Sequence, residues 1–112
     1  MFDRDKIVRK LVTQSRQSAK DRQLSFDLTV SDVTELWDNQ VGRCALSGLA
    51  FSDERYDHAR VKMPFAASID RIDDKTGYIL GNVRLVCAAA NFARNQWGDT
   101  VLSPDFPDGL LN

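Results

Sequence analysis

The chain has 112 residues, 43% of them hydrophobic, with 15 Lys and Arg against 16 Asp and Glu, one His and two Cys. At that length a folded chain buries only roughly two-thirds of the surface its unfolded form exposes, which allows one small domain and excludes two independent ones. Its apolar runs fall far short of the roughly 20 residues of a membrane span, its first residues lack the apolar stretch of a signal peptide, and two cysteines make no disulfide framework, so the expectation is a folded, soluble, cytoplasmic protein with no membrane association.

The formal net charge of −1 hides an uneven distribution. Residues 1–23 hold Arg4, Lys6, Arg9, Lys10, Arg16, Lys20 and Arg22 against Asp3, Asp5 and Asp21, whereas residues 99–112 hold Asp99, Asp105 and Asp108 and no basic residue. A basic arm and an acidic tail cancel in the total, so the sum does not exclude a nucleic-acid partner.

From residue 3 to about 22, Ile7, Val8, Leu11, Val12 and Ala19 recur mainly at helical intervals with basic residues on the other faces, which predicts an amphipathic helix. Its charged side is either a solvated surface or a surface that also lies along phosphates. Thr29 followed three residues later by Asp32 is an N-terminal capping pattern, with Ser31 a second choice of cap, so a second helix carries Val33, Leu36 and Trp37 inward and ends within residues 39–42. A tight small-residue turn follows at 42–48, then a polar loop at 52–62 that contains His58. Residues 68–73 read as a short strand, 74–81 as turn chemistry, 83–87 as a second, β-branched strand and 88–97 as a helix stopped by Gly98. The predicted class is α+β: a hairpin and a helix forming one ββα unit (41–98), a helical N-terminal part (1–40) and an irregular acidic tail (99–112).

On such a unit a side chain from the first strand and one from the start of the following helix converge, and Asp70 and Asn91 hold those positions. A carboxylate and an amide oxygen are hard ligands that suit Mg²⁺ or Mn²⁺, and two protein ligands leave coordination positions for water and a phosphate. Asn95, one turn beyond Asn91, is either a further ligand or a capping amide. Arg71, Lys75, Arg84 and Arg94 surround the pair as candidate DNA-phosphate contacts. Phe92 and Trp97, on the inner face of the helix, are expected in the core rather than stacked on bases.

The strings Gly42-Arg43-Cys44-Ala45-Leu46-Ser47-Gly48, Ser68-Ile69-Asp70-Arg71-Ile72-Asp73, Gly77-Tyr78, Gly81-Asn82-Val83-Arg84-Leu85-Val86-Cys87 and Asn91 through Trp97, in this order and spacing, resemble the HNH, or ββα-metal, nuclease family, in particular its small phage-type and bacterial members. The resemblance covers about residues 40–98. It implies a divalent-metal-dependent endonuclease that hydrolyses DNA phosphodiesters, with Asp70 and Asn91 as metal ligands and Asn82 as the residue that braces the loop. The general-base histidine that follows the acidic ligand in the family is here Arg71, which stays protonated and has no acceptor lone pair; it is suited to clamping phosphate. His58, Asp73 or a cation-activated water needing no side-chain base are three open accounts of the missing base. The zinc ribbon of some members is half present, because Cys44 is followed by Ser47 and Cys87 by Ala90 where second cysteines stand; two thiols fall short of the four ligands of structural zinc, so the expectation is the ribbon's shape without its metal. Partners implied are DNA and, through the resemblance, a second copy of the chain or a companion nuclease or packaging protein. Two rival readings follow from the departures: a DNA-binding module that no longer cuts, and a scaffold that does neither.

Overall fold

Helix α1 (Arg4–Arg22) starts where the Asp3 carboxylate accepts the Lys6 N–H at 3.1 Å, and it ends where Gln23 turns into the left-handed region (φ 57°) and donates its N–H to the carbonyls of Ala19 and Lys20. Val8, Leu11, Val12, Ser15 and Ala19 are its buried positions, a single stripe at helical spacing. The stripe contains one hydroxyl, and Ser15 satisfies it by donating to the Val12 carbonyl at 3.0 Å.

The computed structural model describes residues 2–97, with side chains as far as Arg94. Gly98 and the tail at 99–112 lie outside the described residues, as do the side chains of Asn95 and Trp97.

Helix α2 (Val30–Asn39) carries the complete reciprocal cap: the Thr29 hydroxyl accepts the Asp32 N–H at 3.1 Å and the Asp32 carboxylate accepts the Thr29 N–H at 3.0 Å. Thr29, not Ser31, is thus the cap. Val33 and Trp37 point inward, and the Trp37 ring lies 5.0 Å from that of Phe51. The chain leaves α2 through Val41 and Gly42, both at positive φ; a Cβ on Gly42 would come within 3.2 Å of the Trp37 indole nitrogen, so the close approach of backbone to indole needs the glycine.

Strands β2 (Ala67–Arg71) and β4 (Val83–Cys87) pair antiparallel, with Asp70 opposite Arg84 and Ala67 opposite Cys87, and α3 (Ala88–Trp97) follows without a break. The first strand is shifted from the expected 68–73. Ile72 and Asp73 belong to the turn, where they donate their N–H groups to the Asn82 carbonyl (2.8 Å) and to its side-chain oxygen (2.9 Å). A second, unexpected sheet joins β1 (Phe26–Asp27) in parallel to β3 (Tyr78–Ile79) just ahead of a 3-10 turn, Leu80–Asn82. Two residues are too few to show any periodicity in sequence.

One core cluster gathers Val8, Leu11 and Val12 of α1, Val33 and Trp37 of α2, and Leu85, Val86 and Cys87 of β4. A second joins Ala19, Leu28, Tyr78 and Val83, beneath the β1–β3 pair. Fully burying side chains such as Leu85, Val8 and Val33 contributes about 1.5–3 kcal/mol each. Helix α3 enters the core through Ala90, with Ala89 packed against it, whereas Phe92, expected in the core, is only half-buried and lies 5.5 Å beneath the Arg60 guanidinium. The result is a small α+β domain with three helices and two two-stranded sheets among the described residues, none of those helices being long and apolar enough to cross a membrane.

Candidate active site

The β2–β4 register fixes the centre of the site. Directly opposed residues share one face of a hairpin, so Asp70 and Arg84 meet, and the Arg84 Nε donates to Asp70 Oδ2 at 2.8 Å. Helix α3 supplies the rest. Asn91 and Arg94, three residues apart, lie on one helical face, and the Arg94 guanidinium donates through Nη2 both to Asp70 Oδ1 and, at 3.4 Å, to Asn91 Oδ1. Asp70 is 4% exposed, a buried carboxylate held by two half-buried arginines. Burial of an ion of this kind is sustained only by such pairing.

Above this triad opens a cleft of about 480 Å³, with Ser68, Asp70, Arg71, Asp74, Asn91 and Arg94 on one side and α1 on the other. The α1 wall presents Gln14, Ser18 and Arg22, four residues apart and therefore in one row along the helix. The lining is predominantly polar, and its Arg22, Arg71 and Arg94 outnumber its Asp70 and Asp74. In a chain of net charge −1 this is a local cationic surface, suited to an anionic ligand.

Asn82 clasps the turn between the strands. Buried at 7% exposure, it donates through Nδ2 to the carbonyls of Asp73 (3.0 Å), Thr76 (3.2 Å) and Gly77 (2.9 Å), while its Oδ1 accepts the Asp73 N–H. Every polar atom of the amide is in use. Replacing Asn82 by Ala leaves those backbone groups without their partner and is expected to cost roughly 1–3 kcal/mol in urea unfolding, with amide exchange accelerating first at Asp73.

The remaining sequence candidates fall into separate places. Arg71 lies 5.4 Å over the Tyr78 ring and donates to the carbonyl oxygens of Asp74 and of Thr76 (3.2 Å for the latter), so it braces the turn while it lines the cleft. Asp73 caps that turn, accepting the Lys75 N–H and the Thr76 hydroxyl at 3.0 Å each. Those two bonds, and the nearby Arg71 charge, hold its carboxyl below the usual range, which weakens it as a base. His58 is exposed in the 52–66 loop and does not line the cleft, and Lys75 is exposed on the hairpin turn outside it. Arg84 and Arg94, expected to face phosphate, have their guanidinium groups on Asp70. The residues that sequence reasoning missed are Asp74 and the Gln14, Ser18 and Arg22 row. The row's four-residue spacing was visible, but nothing local says which element faces it.

Cys44 and Cys87 meet in the core. The Cys44 sulfur accepts the N–H of Cys87 at 3.2 Å and that of Ser47 at 3.4 Å, and the Ser47 hydroxyl lies 3.8 Å from the Cys87 sulfur. A hydrogen bond from the Cys87 thiol, joined by those from Ser47 and the two backbone groups, draws the Cys44 thiol well below its ordinary value, while the same contact and burial raise Cys87.

The donor chemistry at Asp70 and Asn91 fits a small hard cation: one carboxylate and one amide oxygen converge on a single point, and a nitrogen of a guanidinium already occupies it as a stand-in positive charge. No family model, curated protein or solved structure matches this chain.

Proposed function

We propose that the chain is a divalent-metal-dependent endonuclease of the HNH, ββα-metal kind that hydrolyses DNA phosphodiesters. The observation that carries the reading is the convergence of Asp70 on β2 and Asn91 on α3 at the floor of a cationic cleft. Asp70 and Asn91 would hold Mg²⁺ or Mn²⁺, with Asn95 on the same helix as a further candidate. Bound there, the cation supplies charge neutralisation at the phosphate and at the leaving oxygen. Asn82 keeps the turn between β2 and β4 in place. Arg71 and Arg22, on opposite walls, orient a phosphate between them. Asp74, a carboxylate that lines the cleft where His58 and Asp73 do not, would be the side chain that accepts a proton from water.

A second reading, a DNA-binding module without cleavage, is favoured by one observation: the position after Asp70 is Arg71, tied into the turn, and the chain's single histidine does not line the cleft.

Nicking of supercoiled plasmid in Mg²⁺ or Mn²⁺, against EDTA, separates the two. The endonuclease reading expects cation-dependent nicking that falls at least about 100-fold in Asn91→Ala and survives in His58→Ala. Retention of DNA by gel shift, with no nicking in either cation, selects the binding module.

A further inference from the structure

We propose that Arg94 is a built-in cation that occupies the Asp70–Asn91 site, and that a divalent ion enters only when Arg94 turns out of it toward phosphate in the cleft. The proposal deepens the function proposed above and rests on Asp70 and Asn91 being cation ligands.

The geometry is that of substitution at one position. A single nitrogen of Arg94, Nη2, donates to Asp70 Oδ1 and to Asn91 Oδ1, and Asp70 and Asn91 are the residues that would hold an ion. A guanidinium nitrogen and a metal ion cannot both sit between them. They also repel, and in a site where Asp70 is 4% exposed that repulsion is weakly screened.

The two arginines on Asp70 are not equivalent. Arg84 holds Oδ2 from the paired strand directly opposite, whereas Arg94 holds Oδ1 from the helix and also lines the cleft. Departure of Arg94 therefore leaves the carboxylate its Arg84 partner. The open cleft gives the released guanidinium somewhere to go, and an incoming phosphodiester is an acceptor whose geometry matches its fork of N–H groups. Phosphate that draws Arg94 away exposes both ligand oxygens, so anion and cation each favour the other's binding, and by linkage to the same extent. In the absence of a polyanion the chain's own arginine competes for the site, which keeps the affinity for divalent ions low.

The test is calorimetric titration of Mn²⁺ into the full chain, without nucleic acid, for the wild type, Arg94→Gln and the double variant Asp70→Asn with Arg94→Gln. Glutamine removes the charge and leaves Asp70 paired with Arg84. The expected result is Mn²⁺ binding at least about tenfold tighter in Arg94→Gln than in the wild type, abolished in the double variant. Equal affinity in wild type and Arg94→Gln, with loss in the double variant, would overturn the role of Arg94 while leaving the cation site standing. Absence of binding in all three would overturn both. A measurement on the wild type needs no variant to fold: in ¹⁵N spectra of the arginine Nε–H groups, Mg²⁺ with a short phosphodiester is expected to move the Arg94 resonance and leave that of Arg84 in place. Mg²⁺ binding with an unmoved Arg94 resonance would overturn the proposal.

Discussion

Asp70→Ala is expected to destabilise the domain by about 3 kcal/mol, within the roughly 3–5 kcal/mol range for removing one member of a buried ion pair. Asp70 is the one buried anion of the β2–β4–α3 unit among the described residues, and both of its oxygens are committed, Oδ2 to Arg84 and Oδ1 to Arg94. Truncation removes the acceptor and leaves two guanidiniums facing each other across the vacated space, so desolvation and like-charge repulsion add. The lower end of the range applies because Arg84 and Arg94 keep 21% and 23% of their side-chain surface exposed and can take up water in part. Arg94→Gln offers the internal comparison: Asp70 retains Arg84 and no like charges are left opposed, so its cost is expected to be the smaller of the two. Urea unfolding of the three proteins measures the difference. A loss below about 1 kcal/mol for Asp70→Ala would mean that the triad behaves as a solvent-screened surface pair, and the site would lose its standing as a buried, pre-organised anion.

The local rules of sequence were sufficient wherever the stabilising partner lies within one turn. The Thr29–Asp32 cap, the apolar stripe of α1 and the apolar run Val83, Leu85 and Val86, with its two β-branched valines, read correctly because capping, helical period and strand propensity are short-range effects. The chemistry of Asp70 and Asn91 was legible as donor type, and their convergence followed from pairing β2 with β4, the strand that runs directly into α3. What stayed hidden depends on partners far apart in sequence. Arg84 and Arg94 carry the charge that phosphate binding needs, yet whether they face a ligand or Asp70 is set by the hairpin register and the helix phase, which composition does not encode. The α1 wall of the cleft is of the same kind: the row Gln14, Ser18 and Arg22 acquires meaning only when α1 is laid across the hairpin. The strand ends early at Arg71 for a related reason, since the Asn82 amide, nine residues on, captures the Asp73 N–H for the turn.

Gly77→Ala is expected to cost about 3 kcal/mol, at the upper end for overpacking, whereas Gly81→Ala, four residues on in the same turn region, is expected to be neutral or to stabilise by a few tenths of a kcal/mol. A Cβ on Gly77 would press on the Ser25 carbonyl oxygen and lie 2.8 and 2.9 Å from the Ser25 nitrogen and carbonyl carbon; these are backbone atoms with no rotamer to relieve the overlap. A Cβ on Gly81 meets nothing within 4 Å, and the residue is not in the left-handed region. The difference falls on one joint. Ser25 accepts the Tyr78 N–H at 2.8 Å beside the parallel pairing of Phe26 with Tyr78, so forcing residue 77 away from residue 25 parts β1 from β3. Tyr78 then leaves its cluster with Ala19, Leu28 and Val83, and Arg71 loses the ring on which it rests. Thermal unfolding of the two variants should therefore diverge, with Gly77→Ala melting well below the wild type and Gly81→Ala at or slightly above it. Equal melting temperatures would show that the Ser25–Gly77 approach can relax, and that the parallel pair is not what holds Arg71 over the cleft.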